Sequence, residues 1–175
     1  MSGSDLFRIT RIDFGEVYRR HLGRHSESGI NVLHLVAVYG VYYSVFSLAS
    51  AAVSGLIPNL QLIDQGLTLF VLSAPWLVIL FINVPAWPFV LSILSAVALS
   101  IANVLAPLPW WLAGLLLPVW HQLQQLSHRW YTVSRDMSRY QERYPKGARL
   151  VVMLAVFELP ILLNYFLEGD TEREV

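Results

Sequence analysis

Between Asp64 and Arg129 lie 64 consecutive residues without a formal charge. A helix that crosses the hydrocarbon core of a bilayer needs about 20 apolar residues, so this run has room for three crossings. Soluble domains carry about 25% Asp, Glu, Lys and Arg, whereas here the charged fraction is 14% and the apolar fraction 55%. Such a composition also excludes a disordered chain, which would be poor in large apolar side chains. A second charge-free run, residues 28–63, follows Glu27 and has room for one crossing and a polar loop. The expected fold is all-α: one domain, a polytopic integral membrane helical bundle with about five transmembrane helices.

The spans are expected at about 32–54, 67–83, 89–105, 110–128 and 150–167, separated by SGLIPNLQLIDQG, VPAWP and APLPW, whose Gly, Pro, Asn and Asp residues are turn formers. The fifth segment carries Glu158 and Pro160, so a re-entrant or interfacial course is the alternative there. Lys and Arg cluster in two blocks. Residues 1–31, expected to hold a cytoplasmic N-terminal helix, carry five arginines; the loop 129–149 carries six basic residues. The positive-inside rule places both blocks in the cytoplasm. Four spans separate them, and an even number returns the chain to the same side. The acidic tail EGDTEREV is expected on the opposite side. Trp87, Trp110, Trp111, Trp120 and Trp130 fall near span ends, as interfacial aromatics do. No secretory signal peptide is expected, since the first 30 residues lack an apolar core of the needed length. The bacterial inner membrane and the endoplasmic reticulum both fit.

The 12 basic and 12 acidic residues cancel, so nothing points to nucleic acid as a partner. There is no cysteine, which excludes disulfides, thiolate metal sites and iron–sulfur clusters. A metal would have to be held by His, Asp or Glu. The five histidines form two groups, His21, His25 and His34 around the start of the first span and His121 and His128 at the end of the fourth. The expected topology brings all five to one membrane face. His21 and His25 are four apart and share a helix face, a spacing that can grip one ion. His34 falls in the first turn of its span and can face back toward them. His121 and His128 are two helical turns apart, a long reach for one ion, so one is expected to ligate and the other to meet substrate or a second ion. Gln124, with Gln125 beside it, adds a polar stripe where a lipid-facing helix would be apolar. Glu158 sits roughly 13 Å inside the fifth segment by helix rise. An intramembrane carboxylate marks a functional site by default, and Glu158 is expected to approach His121. The plain readings are headgroup hydrogen bonding by the histidines, interhelical hydrogen bonding by the glutamines, a neutral core carboxyl at Glu158, and helix caps at Ser28 and Asn31.

Three stretches, YRRHLGRHSESGINVLHLVAVYG, QQLSHRWYTVSRDMSRYQERYP and FELPILLNYFLEG, resemble the DUF962 (Mpo1-like) family of small polytopic membrane proteins. The chain resembles a divergent member. His34 stands three residues after Asn31 where the family has four, and Ser127 stands where Gly is usual before the second histidine group. The resemblance implies an Fe(II)-dependent dioxygenase, an oxidoreductase of lipid metabolism that shortens 2-hydroxy fatty acids by one carbon (α-oxidation), with O2 as co-substrate. On that reading His25, His34 and His128 are iron ligands and His21 a fourth, while His121 and Glu158 are catalytic or proton-handling groups. Arg24 and Arg129 hold the substrate carboxylate, with Gln124 beside them. Zinc and haem are the alternative cofactors. The alternative function is a non-enzymatic membrane lipid-binding or scaffold protein with an interfacial histidine cluster.

Overall fold

A computed structural model describes residues 12–25, 27–57, 59–131 and 148–168, and among them every regular element is helical. The order is α1 (Phe14–Arg24), α2 (Ser28–Leu56), α3 (Leu62–Leu72), α4 (Ala74–Asn83), α5 (Ala86–Leu105), α6 (Trp110–Tyr131) and α7 (Ala148–Glu168). Most of the basic loop 129–149, the acidic tail and the first 11 residues lie outside the described residues.

The short helix α1 forms where Asp13 caps it, its carboxylate accepting from the Glu16 N–H at 3.1 Å. Phe14, Val17, Tyr18 and His21 are buried at i, i+3, i+4 and i+7, so one stripe faces the bundle. The chain turns after His25 and α2 begins at Ser28. Glu27, rather than Ser28, occupies the cap position and makes no side-chain cap bond. Asn31, in the first turn, instead ties α2 back to the end of α1, its amide donating to the carbonyls of Glu27 and His25.

Among the described residues two helices, α2 and α5, are long and apolar enough to cross a membrane; the α3–α4 pair makes a third if read as one span. The expected continuous helix over 67–83 is instead broken at Ser73 with a bend of 41°. The cause is Pro75, in the first turn of α4. It has no N–H to give to Val71, and its ring would clash with that carbonyl. The helix α6 is less apolar than these, because its second half carries His and Gln.

The pattern of α5 is that of a helix whose surroundings are apolar. Val90, Leu94, Val97, Ile101 and Leu105 point outward, while Ser92, Ser95, Ser100 and Asn103 are buried. Each buried serine is satisfied by the carbonyl one turn back, as in Ser92 to Pro88 at 2.7 Å and Ser100 to Ala96 at 2.9 Å. Polar pairs then join α5 to α2: Tyr39 Oη with Ser95 Oγ at 2.6 Å, and Ser47 Oγ donating to Asn103 Oδ1 at 2.5 Å. Interhelical hydrogen bonding of this kind holds helices together where lipid removes the hydrophobic drive. These features are compatible with a membrane protein.

The most deeply packed helix is α7. Phe157, Leu159, Ile161 and Leu162 are all fully buried, packing against α1, α4 and α2. The acidic tail that follows α7, expected on the opposite side of the membrane, lies outside the described residues. Asn164 and Glu168 share a cleft with Phe14 and Tyr18 of α1 and with Val84 and Pro85. A helix buried around its middle is stabilised by neighbours rather than by lipid, and here α7 points back toward the α1 end of the bundle.

Candidate metal centre

The longest interhelical contact is the antiparallel pair α2 and α6, and two glycines set its register. A β-carbon on Gly29 would meet the Tyr131 ring at 2.7 Å, and one on Gly40 would collide with the Trp120 ring. Both glycines lie on α2, three turns apart, and their aromatic partners are three turns apart on α6 in reverse order. The spacing locks the two helices like a pair of matched notches. It also fixes the residue between the glycines, His34, opposite Ser127 and His128. The contact between Gly29 and Tyr131 puts the beginning of α2 and the end of α6 at one end of the bundle, where α1 also packs.

Three histidines from three segments meet there. His25 closes α1, His34 lies in the second turn of α2, and His128 lies in the last turn of α6. One ring nitrogen from each lies within 4.8 Å of those of the other two, so the group can hold a metal ion. His25 and His34 are buried. His25 Nε2 and His128 Nε2 are 3.3 Å apart. Two nitrogens bound to one cation at about 2.0–2.1 Å with a tetrahedral angle are about 3.3 Å apart, so this edge already has the dimension of a coordination shell. Imidazole nitrogens suit Zn, Cu, Fe and Ni.

The surroundings orient the rings. His34 Nδ1 faces the Ile30 carbonyl at 3.1 Å and Ser127 Oγ at 3.0 Å. Ser127 Oγ itself donates to the Gln124 carbonyl at 2.7 Å, so it accepts from His34. The proton of His34 therefore sits on Nδ1, and Nε2 offers its lone pair. That Nε2 lies 3.9 Å from Glu158 Oε1. The other carboxyl oxygen accepts from Gln124 Nε2 at 3.1 Å, so α7 delivers one carboxyl group to the edge of the three-histidine cluster.

The structure brings together His25, His34 and His128, with Glu158 and Gln124 against them. His21 is adjacent but outside the group: its Nδ1 is 2.9 Å from His25 Nδ1 and its Nε2 is 2.9 Å from Asn31 Oδ1. The expected approach of His121 to Glu158 does not occur; His121 is exposed, and Gln124 takes its place. The buried face of α6 runs through Ala113, Trp120, Gln124, Ser127 and Tyr131, with His128 on its border. At 100° per residue, His121 lies about 20° further round than His128, outside that face. Arg129 is exposed beside His128; the side chain of Arg24 lies outside the described residues. Asn31 and Ser127 are the site residues whose roles sequence reasoning missed, having read Asn31 as a cap and Ser127 as a substitution for Gly. The available signal was position, since each lies within one helical turn of a histidine.

Comparison of the chain with protein-family models, with curated proteins and with solved structures finds no match.

Proposed function

We propose that the chain is a multi-pass integral membrane oxidoreductase: an Fe(II)-dependent dioxygenase that removes one carbon from 2-hydroxy fatty acids, with its histidine cluster facing the cytoplasm. The observation that carries this reading is the convergence of three histidine nitrogens with a carboxylate alongside, in a bundle with no thiolate. A site of neutral imidazoles and one carboxylate suits a redox-active divalent iron better than a soft thiolate set would.

His25, His34 and His128 would hold the ion, which when bound supplies the redox chemistry with O2. The net change is balanced as R–CH(OH)–COOH plus O2 giving R–COOH, CO2 and H2O. Glu158, held by Gln124, is the group within reach to accept the proton of the substrate's 2-hydroxyl. Arg129 stands exposed at the same end of the bundle, where its guanidinium can meet the substrate carboxylate. The apolar outer faces of the helices favour an acyl chain lying in the bilayer beside the site. About five helical segments lie within the membrane on this reading: α2, the α3–α4 pair, α5 and α6 cross it, and α7 fills the bundle from the α1 end.

Metal content by mass spectrometry, on wild type beside His25→Ala and His128→Ala, tests the centre. Iron near one per chain, lost in both variants, supports it, and O2-dependent formation of the acid one carbon shorter then tests the reaction. An anaerobic, chelator-free preparation that carries no metal refutes the oxygenase and leaves the lipid-binding scaffold.

A further inference from the structure

We propose that His21 is a positioning residue for the metal centre and not one of its ligands: with Asn31 it holds His25 in the tautomer that presents an unprotonated Nε2 to the ion. This rests on the metal-centre reading above.

Contacts running from Asn31 through His21 to His25 fix where each proton sits. Backbone carbonyls can only accept. The Asn31 side chain lies 2.9 Å from the His25 carbonyl and 3.2 Å from the Glu27 carbonyl, so its NH2 faces them. Its Oδ1 therefore faces His21 Nε2, at 2.9 Å. An amide oxygen also only accepts, so the proton of His21 is on Nε2. A neutral imidazole then has a bare Nδ1. That nitrogen is 2.9 Å from His25 Nδ1, which must donate to it. The remaining nitrogen of His25, Nε2, is left with its lone pair, and it faces His128 Nε2 at 3.3 Å.

The same geometry excludes His21 from the coordination sphere. Its Nδ1 meets the Nδ1 side of the His25 ring, while the metal group is built on the Nε2 side. Its own Nε2 is turned to Asn31. Asn31 is completely buried and His21 nearly so, so water is poorly placed to replace either partner. Because His34 is held separately by Ile30 and Ser127, two of the three ligands are in the binding tautomer before an ion arrives. Partners of this kind typically change metal affinity about 10–100-fold when removed.

Titration of the purified, metal-free protein with Co(II) tests the assignment. In His21→Gln, the Gln carbonyl can still accept from His25 Nδ1, and affinity is expected to stay close to wild type. In His21→Leu that acceptor is gone, and affinity is expected to fall about 10–100-fold. At saturating Co(II), X-ray absorption should count the same number of imidazoles in wild type, His21→Gln and His21→Leu. Nitrogen-15 NMR of the metal-free protein should show His25 protonated on Nδ1 in wild type and in His21→Gln, and should lose that preference in Asn31→Leu. One imidazole fewer in His21→Leu, or equal losses of affinity in His21→Gln and His21→Leu, would overturn the positioning role while leaving the metal centre intact. A wild type that shows the Nδ1 tautomer but takes up no Co(II) would sink the metal centre itself, and the positioning role with it.

Discussion

Adding one methyl group at Gly40 should cost the protein both stability and metal. A β-carbon there would lie against Cδ2, Cε2 and Cε3 of Trp120, the body of the indole and not its movable tip. Carbon atoms settle about 3.5–4.0 Å apart, so either Trp120 or the whole of α6 must retreat by roughly 1 Å or more. Overpacking of this kind costs about 1–3 kcal/mol, and for a chain of this length each kcal/mol lowers the melting midpoint by about 2–4 °C. The effect at the metal centre is sharper. Two donors bridged by one cation with bonds of about 2.1 Å can be at most about 4.2 Å apart. His25 Nε2 and His128 Nε2 stand at 3.3 Å, and a 1 Å withdrawal of α6 would take them to roughly that limit. Gly40→Ala should therefore melt several degrees lower in detergent and retain much less metal. Adding Trp120→Leu should return part of both, since it removes the obstructing ring. Gly29→Ala should be milder, because the obstacle there is the far end of the Tyr131 side chain, which can swing aside. If Gly40→Ala melts and loads like wild type, or if the double variant is no better than the single one, then the glycines do not set the separation of α2 and α6.

His121→Ala should leave metal content unchanged while His34→Ala abolishes it, because His121 is exposed on α6 and His34 lies inside the cluster; elemental analysis of the purified variants decides this. Gln124→Leu removes the donor to Glu158 Oε2, and leaving that carboxylate oxygen poorly satisfied should cost about 1–3 kcal/mol, read as a lower midpoint in denaturant titration, whereas Gln125→Leu, on the exposed side, should be silent. Asn103→Leu breaks the hydrogen bond from Ser47 and should destabilise the α2–α5 contact by about 0.6–1.7 kcal/mol; an equal loss in Ser47→Ala and in the double variant would show that one interaction is being measured.

The helical architecture was readable because long charge-free runs leave few alternatives once backbone polar groups must be satisfied within lipid. The meeting of His25, His34 and His128 was readable in outline, since helices running alternately up and down a bundle can return residue 128 to the end that holds residue 25. What could not be read was which neighbour each helix face meets. His121 and Gln124 both lie near the direction of His128, and only the packing of α7 decides that Gln124 reaches Glu158. Gly29 and Gly40 look unremarkable in sequence; they matter because Tyr131 and Trp120 stand opposite, 80 or more residues away. The break at Ser73 was missed, although its signal was there: Pro75 sits inside the apolar run and cannot continue a hydrogen-bonded ladder. The burial of α7 among its neighbours was not legible, because an apolar segment reads the same whether lipid or protein surrounds it.

His25 and His128 are 103 residues apart in the chain, and an ion held between them would act as a reversible cross-link in a protein that has no cysteine to make a permanent one. Closing a loop of that length in a disulfide is worth about 4.7 kcal/mol in chain entropy, and a metal tie draws on the same source while remaining open to exchange. It would also be the last joint to close, since its two sides come from opposite ends of the helical order and cannot meet until α2 and α6 are aligned. Loading with metal would then mark the moment at which the chain has finished assembling, and a chelator would undo the fold from that seam first.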